Sequence, residues 1–205
     1  MAQTREQTTN GKAITRSSNG ANNGSPTLHQ QGYEIQKFGT VIDLQIALDA
    51  KARKESCELL NQVLADTIII YNLYKKHHWL VRGATFYQLH LLLDKQANEQ
   101  LELVDALAER VQKLGGIAIA DPRHVAELTK ITRPPNGAEE VPAMLSRLLD
   151  AHEIIIGEVR EAIDKTEENK DMGTNDLFVS QVLRTNETHV WYLSEHLVDT
   201  PLVKA

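Results

Sequence analysis

Three histidines, His77, His78 and His90, and three carboxylates, Asp94, Asp105 and Glu109, crowd into two helical segments on either side of the break at Arg82-Gly83. Histidine and aspartate are weaker helix formers than leucine, alanine, lysine or glutamate, so helicity alone does not select them here. Imidazole nitrogens together with carboxylate oxygens suit Fe(II), Mn(II) or Zn(II), and no thiolate is near enough to suggest a structural zinc cage. Bridging carboxylates beside imidazole are also what a di-iron oxidation site uses. Trp79 adjoins the histidine pair. The ordinary reading of such a tryptophan is a core aromatic; beside a metal it can instead donate an electron.

Spacing sharpens this chemistry. With side chains advancing about 100° per residue, Phe86, Leu89, Leu93, Ala97, Val104, Leu107, Val111 and Leu114 form one apolar stripe. His90, Asp94, Asp105 and Glu109 form an adjacent arc, interleaved with Tyr87, Leu91, Leu101 and Ala108. His90 and Glu109 would lie roughly 28 Å apart on one helix, too far to share an ion. A second copy of the helix, running antiparallel about a two-fold axis, removes the difficulty, because facing residues then have a constant number sum. The pairs 90 with 109 and 94 with 105 share the sum 199. An axis crossing between Glu99 and Gln100 would thus set His90 and Asp94 of one chain beside Glu109 and Asp105 of the other. Two equivalent sites would result, about 22 Å apart. Either His77 or His78 can join His90, and the spacing does not choose between them.

The elements that position these residues are legible from caps and breakers. Asp49 is an N-cap for a first helix from about Ala50 to Val81, ended by Arg82-Gly83. Thr85 with Gln88 is a capping-box pattern opening a second helix that stops at Gly115 and Gly116. Asp121-Pro122 starts a short helix. A Pro- and Gly-bearing loop, Arg133 to Gly137, precedes a third long helix from about Glu139 to Glu168; Gly173-Thr174 restarts a fourth that ends near Val198, before Pro201. No period-two strand pattern appears. The expected fold is all-α: a four-helix bundle with a short extra helix in the long connection between helices two and three.

Composition bounds the rest. The chain has 205 residues, enough for one domain with a substantial core. Residues 1–40 read as a flexible polar tail and 41–205 as the bundle domain, because the opening stretch is dominated by Asn, Gly, Ser, Thr and Gln. Of the net charge of −6, the stretch 1–37 carries +2 from Arg5, Lys12, Arg16 and Lys37 against Glu6 and Glu34, leaving −8 on the remainder. An acidic body argues against nucleic acid lying along the folded surface and leaves the tail as the candidate contact. No apolar signal-peptide core or membrane-length run is present, and the single Cys57 fits a reducing compartment, so a soluble cytoplasmic protein is expected.

The histidine-tryptophan pair His78-Trp79, the turn Arg82-Gly83-Ala84, and then His90, Asp94, Asp105 and Glu109 resemble the signature of the Dps family. These are the mini-ferritins first named as DNA-binding proteins from starved cells, and the resemblance covers about Asp43 to Val198. Classical ferritins use a Glu-x-x-His pattern within one subunit, which this chain lacks. The resemblance implies a ferritin-like bundle and a hollow twelve-subunit shell whose dimer interfaces hold ferroxidase centres. There Fe(II) is oxidised, preferentially by hydrogen peroxide, and ferric mineral is stored inside as a defence against oxidative stress. It implies His78 rather than His77 as ligand, with His90, Asp94, Asp105 and Glu109 completing a di-iron site and Trp79 as a trap for stray oxidising equivalents; the mixed nitrogen and oxygen donors leave room for Zn(II) as a competitor. It further points to Asp171 and Asp176 as the nearest matches to the acidic residues that line three-fold pores. Some family members bind DNA through lysine-rich tails, so a DNA-compacting protein is the second reading, weakened here by only four basic residues in the tail.

Other residues take plain readings. Trp191 is expected in the core or an interface. His152, His189 and His196 are expected at the solvated surface. Cys57 reads as filling, and His29 and His124 support no chemistry.

Overall fold

The computed structural model describes residue 26 and residues 28–199. Packing divides the chain into Met1–Glu34 and Ile35–Ala205. Most of the expected polar tail, and Pro201 beyond the last helix, lie outside the described residues.

Among the described residues every regular element is helical: α1 (Ala50–Leu80), α2 (Phe86–Lys113), α3 (Pro122–Leu128), α4 (Val141–Glu168), α5 (Met172–Asp176), a π-helical segment (Leu177–Leu183) and α6 (Arg184–Glu195). The last three run head to tail as the fourth long helix. The expected all-α bundle with a short helix in its long connection is what forms. Asp49 caps α1 by accepting from the backbone N–H of Lys51 at 2.8 Å. The helix stops where Val81 turns extended, and Gly83 follows at φ 101°, a left-handed conformation that a side chain resists. The short link that results makes α1 and α2 neighbours along their length.

The Thr85–Gln88 capping box does not form. Thr85 sits at φ −98°, ψ 13°, outside the extended region an N-cap side chain needs, and its hydroxyl makes no capping bond. At the other end of α2, Gly115 adopts φ 83°. A Cβ there would come within 2.9 Å of the Ile42 carbonyl oxygen, so the chain can cross the helix end only over glycine. Ile42 N–H donates to Gly115 O at 2.9 Å, and Gln36 Nε2 donates to the same oxygen at 2.9 Å. Residues 36–42 therefore lie along the end of the bundle.

The core is drawn from every long helix: Leu60, Leu64 and Ile70 of α1, Leu93 and Leu107 of α2, Leu148 and Ile155 of α4, and Phe178 with Leu193 of the fourth. On α2 the apolar stripe is buried as expected except at half-buried Val104 and at its start. Phe86 is exposed, and its ring stacks on His90 instead. No helix among the described residues is long and apolar enough to cross a membrane.

Candidate metal centre

The turn at Gly83 folds the last residues of α1 onto the first residues of α2, and this brings His78 and His90 together. Their rings stack with centroids 3.8 Å apart and an interplanar angle of 19°. Each ring is held by the other residue's backbone: His78 Nδ1 lies 2.8 Å from His90 O, and His90 Nδ1 lies 2.9 Å from His78 O. A carbonyl oxygen only accepts, so each Nδ1 carries the hydrogen, and in the neutral rings each Nε2 keeps its lone pair. Two imidazole donors are thus fixed in tautomer and orientation, as metal-binding histidines are.

Asp94, one turn beyond His90, supplies a carboxylate oxygen 3.9 Å from His78 Nε2. Its Oδ1 also accepts from Lys75 Nζ at 2.6 Å. That hydrogen bond, then the Lys75 charge, holds the Asp94 carboxyl below its ordinary value. The ammonium of Lys75 therefore sits where a cation would be drawn.

Asp105 and Glu109 lie farther along α2, both exposed, with Glu109 Oε2 bonded to Lys113 Nζ at 2.7 Å. Lys113 lowers the Glu109 carboxyl. They do not reach His78, His90 and Asp94 within one chain, and among the described residues no three His, Cys, Asp or Glu side chains converge on one metal. His90 and Asp94 share with Asp105 and Glu109 a face of α2 on which Tyr87, Leu91 and Leu101 are exposed. An apolar face of this kind ordinarily meets a partner.

The remaining candidates fall out unequally. His77 is fully buried with both ring nitrogens unpartnered, and burial lowers it to about 4. Trp79, next to His78 in sequence, is not a core residue: it is 71% exposed. Asp171 is 2% exposed; it caps Thr174 N–H at 3.1 Å and takes Arg110 Nη2 at 2.6 Å, so within the chain it is a helix cap with a counter-ion and faces no open passage. Asp176 is exposed. Trp191 is 59% exposed and so lies outside the core, and His196 is exposed at a helix end. Cys57 is buried against Gly116, and burial pushes its thiol up to about 11, which suits filling. His29 is exposed, and His124 packs edge-on against Phe38.

His152 and His189 overturn the expected surface placement. Both are buried in the bundle, in a cluster with Tyr74, Gln100 and Asn186. The signal for them was present in the sequence. His152 continues the apolar stripe Leu148, Ile155, Val159, and Asn186 with His189 continues Phe178, Val182, Leu193, at steps of three and four.

The sequence matches the family described as a ferritin-like domain over residues 57–203. An "Uncharacterized protein in bpoA2 5'region" of Kitasatospora aureofaciens is 65% identical over 137 residues, covering 67% of this chain and 91% of that protein. A "Nutrient stress-induced DNA-binding protein" of Nostoc is 33% identical over 168 residues, covering 82% and 91% respectively. Among solved structures, DpsC from Streptomyces coelicolor superposes with a TM-score of 0.83 at 64% identity, covering 84% of this chain and all of that one, 100%.

Proposed function

The chain belongs to the Dps family of ferritin-like proteins, and from that premise we propose that it is a ferroxidase and iron-storage protein whose oxidation sites are shared between two subunits. Ferroxidase chemistry and iron storage are properties of the family. The observation that carries the finer reading is the reciprocal pairing of His78 and His90, which leaves two Nε2 lone pairs and the Asp94 carboxylate beside one another on an open, partly apolar face.

In this reading Fe(II) is substrate, and the protein's own groups do the following. His78 and His90 bind Fe(II) through Nε2 while their Nδ1–H groups stay on backbone carbonyls. The arriving cation takes over Asp94 from Lys75, exchanging one positive charge for another of higher density. Asp105 and Glu109 of the partner subunit, brought in by the antiparallel pairing of two α2 helices, complete the shell or orient its ligands, and Glu109 leaves Lys113 to do so. Hydrogen peroxide takes one electron from each of two Fe(II), giving two Fe(III) and two hydroxide ions, and no radical need be released. Zn(II) competes for the same nitrogen and oxygen donors. Twelve subunits built from such dimers would enclose the mineral, in the cytoplasm, as a peroxide-consuming stress defence, with Trp79 positioned to give an electron to any oxidant that escapes and Asp176 the remaining pore candidate.

The deciding experiment is anaerobic Fe(II) loading followed by peroxide, in the parent and in a His78→Ala, His90→Ala double variant checked for assembly by light scattering. The parent should consume about one peroxide for two Fe(II), and the assembled variant should do so far more slowly. Equal behaviour would remove these histidines from the site.

DNA compaction is the second reading, favoured by the DNA-binding name of the Nostoc relative. Four basic residues over the first 37 positions provide few phosphate contacts per chain, although many tails on one shell would add avidity. A gel shift at low and moderate salt tests it; free migration at both eliminates it.

A further inference from the structure

Tyr74 lies wholly inside the bundle, one helical turn before His78 on the same stripe of α1. Its hydroxyl is 2.5 Å from Nε2 of His152 on α4. The proton positions in this network follow from its partners. Asn186 Nδ2 donates to Val182 O at 2.7 Å, so the amide oxygen is the atom facing His152 Nδ1, at 2.8 Å. That oxygen only accepts; Nδ1 therefore carries the hydrogen, Nε2 keeps its lone pair, and the Tyr74 hydroxyl is the donor. Gln100 Nε2 gives its two hydrogens to Asn186 Oδ1 at 3.2 Å and His189 Nδ1 at 3.1 Å. His189 then donates from Nε2 to Glu99 Oε2 at 2.7 Å, at the edge of the bundle.

A buried phenol needs only an acceptor, and a backbone carbonyl would serve. Here it faces a neutral imidazole held as a base by an amide, close to a centre that handles Fe(II) and peroxide. We propose that Tyr74 and His152 form a proton-coupled one-electron redox site, with Tyr74 giving its electron to radical oxidants formed at the neighbouring metal centre. The oxidant, though not the pair itself, rests on the ferroxidase reading.

The balance is as follows. When a single Fe(II) meets peroxide, the products are Fe(III), hydroxide and a hydroxyl radical. The radical takes one electron from Tyr74 and becomes hydroxide. The phenol O–H bond breaks as an N–H bond forms at His152 Nε2, leaving a neutral phenoxyl beside an imidazolium whose Nδ1–H remains on Asn186. A further Fe(II) returns the electron, becoming Fe(III), and the His152 proton goes back to oxygen. Burial favours the coupled path: it raises the Tyr74 phenol well above its ordinary value and lowers His152 to about 3, so neither charges alone. The oxidised phenol is a far stronger acid than any imidazolium, so the transfer remains downhill once the electron has left. Exposed Tyr87 and Trp79 have no such base among the described residues.

The test is freeze-quench electron paramagnetic resonance of the assembled protein loaded with fewer than one Fe(II) per site and mixed with excess peroxide, with ferric absorbance read in parallel. The expected result is a tyrosyl signal that narrows when ring-deuterated tyrosine is incorporated, carries an exchangeable coupling in deuterated water from the His152 proton, and is lost in Tyr74→Phe at unchanged ferric yield. Persistence of the signal in Tyr74→Phe, or a parent signal without exchangeable coupling, overturns the proposal; if the variant fails to assemble, the labelled parent decides. Absence of ferric product in every sample would count against the ferroxidase reading alone. Flash-generated tris(bipyridyl)ruthenium(III) then supplies the oxidant: a Tyr74 radical supports the pair, and a radical on another side chain overturns it.

Discussion

Two regions of this protein are furnished with the same kind of side chain and do opposite things with it. At the Gly83 turn, His78 and His90 satisfy one ring nitrogen each on backbone carbonyls and leave the other open toward a carboxylate. In the middle of the bundle, His152 and His189 have both ring nitrogens engaged, by Tyr74 and Asn186 in one case and by Gln100 and Glu99 in the other. A histidine with one ring nitrogen held by the backbone and the other free at an open face has a lone pair that a ligand can use. One fully satisfied in a core holds elements together, and it can accept a proton only when its donor is forced to release one.

Breaking the closed cluster should have the largest effect on stability. His152→Ala leaves a cavity and strips the Tyr74 hydroxyl and Asn186 of a partner, and should cost about 3–5 kcal/mol. Urea unfolding followed by circular dichroism measures it, and a loss below about 1 kcal/mol would mean the cluster is not a structural keystone. At the open region the pattern reverses. His90→Ala should slow peroxide-driven Fe(II) oxidation about a hundredfold, equivalent to about 2.7 kcal/mol of barrier, while the unfolding midpoint barely moves.

Acid should also separate the two. Burial lowers His152 to about 3 and lowers His189, so the unfolded chain binds protons that the folded chain refuses. Their contribution is complete above the ordinary histidine value of about 6.5 and is lost as pH falls toward the folded values, at up to about 1.4 kcal/mol per pH unit for each. Glu158, pushed up to about 7 by burial, has the opposite sign, because the folded state holds the extra proton, and offsets part of this slope. Urea midpoints should therefore fall between pH 7 and pH 5, with a shallower slope in His189→Gln. An unchanged slope in that variant would contradict the buried assignment. The smallest effect is expected at Lys75. Lys75→Met removes the ammonium that competes for Asp94, and should tighten Zn(II) binding by about fivefold, near 1 kcal/mol, as read by calorimetry; the partial exposure of the pair keeps the figure small.

Much of the scaffold was legible in one dimension. Asp49, Asp121 and the glycines after the first two long helices mark boundaries that the helices respect within three residues. Phase along the helix predicts burial better than residue type does. Residue type puts His152 and His189 at the solvated surface, whereas both lie on apolar stripes of their helices and are buried. The π-helical segment Leu177–Leu183 had no sequence signal that periodicity could detect. Thr85 has the right residue for a cap and the wrong dihedrals, since the tight turn from α1 dictates its backbone. Asp171 matches the pore-lining acids by its place before the fourth helix, yet it is buried against Arg110, a partner from α2 that its own neighbours in the chain do not reveal.

What the sequence by itself determined is what propagates locally along a helix: the four long helices, the arc shared by His90, Asp94, Asp105 and Glu109, and the common sum that suggests a two-fold pairing. Helix spacing left His77 and His78 open and the family motif pointed to His78; tertiary structure put His78 beside His90, and it alone decided which ring nitrogens are held by backbone carbonyls, that Trp79 is exposed, and that side chains from four helices meet around Tyr74. Those outcomes depend on what lies across from a side chain rather than beside it in the chain. A backbone carbonyl or an amide contributed from a distant segment chooses a tautomer, and the packing of a neighbouring helix determines whether an imidazole is dry or wet.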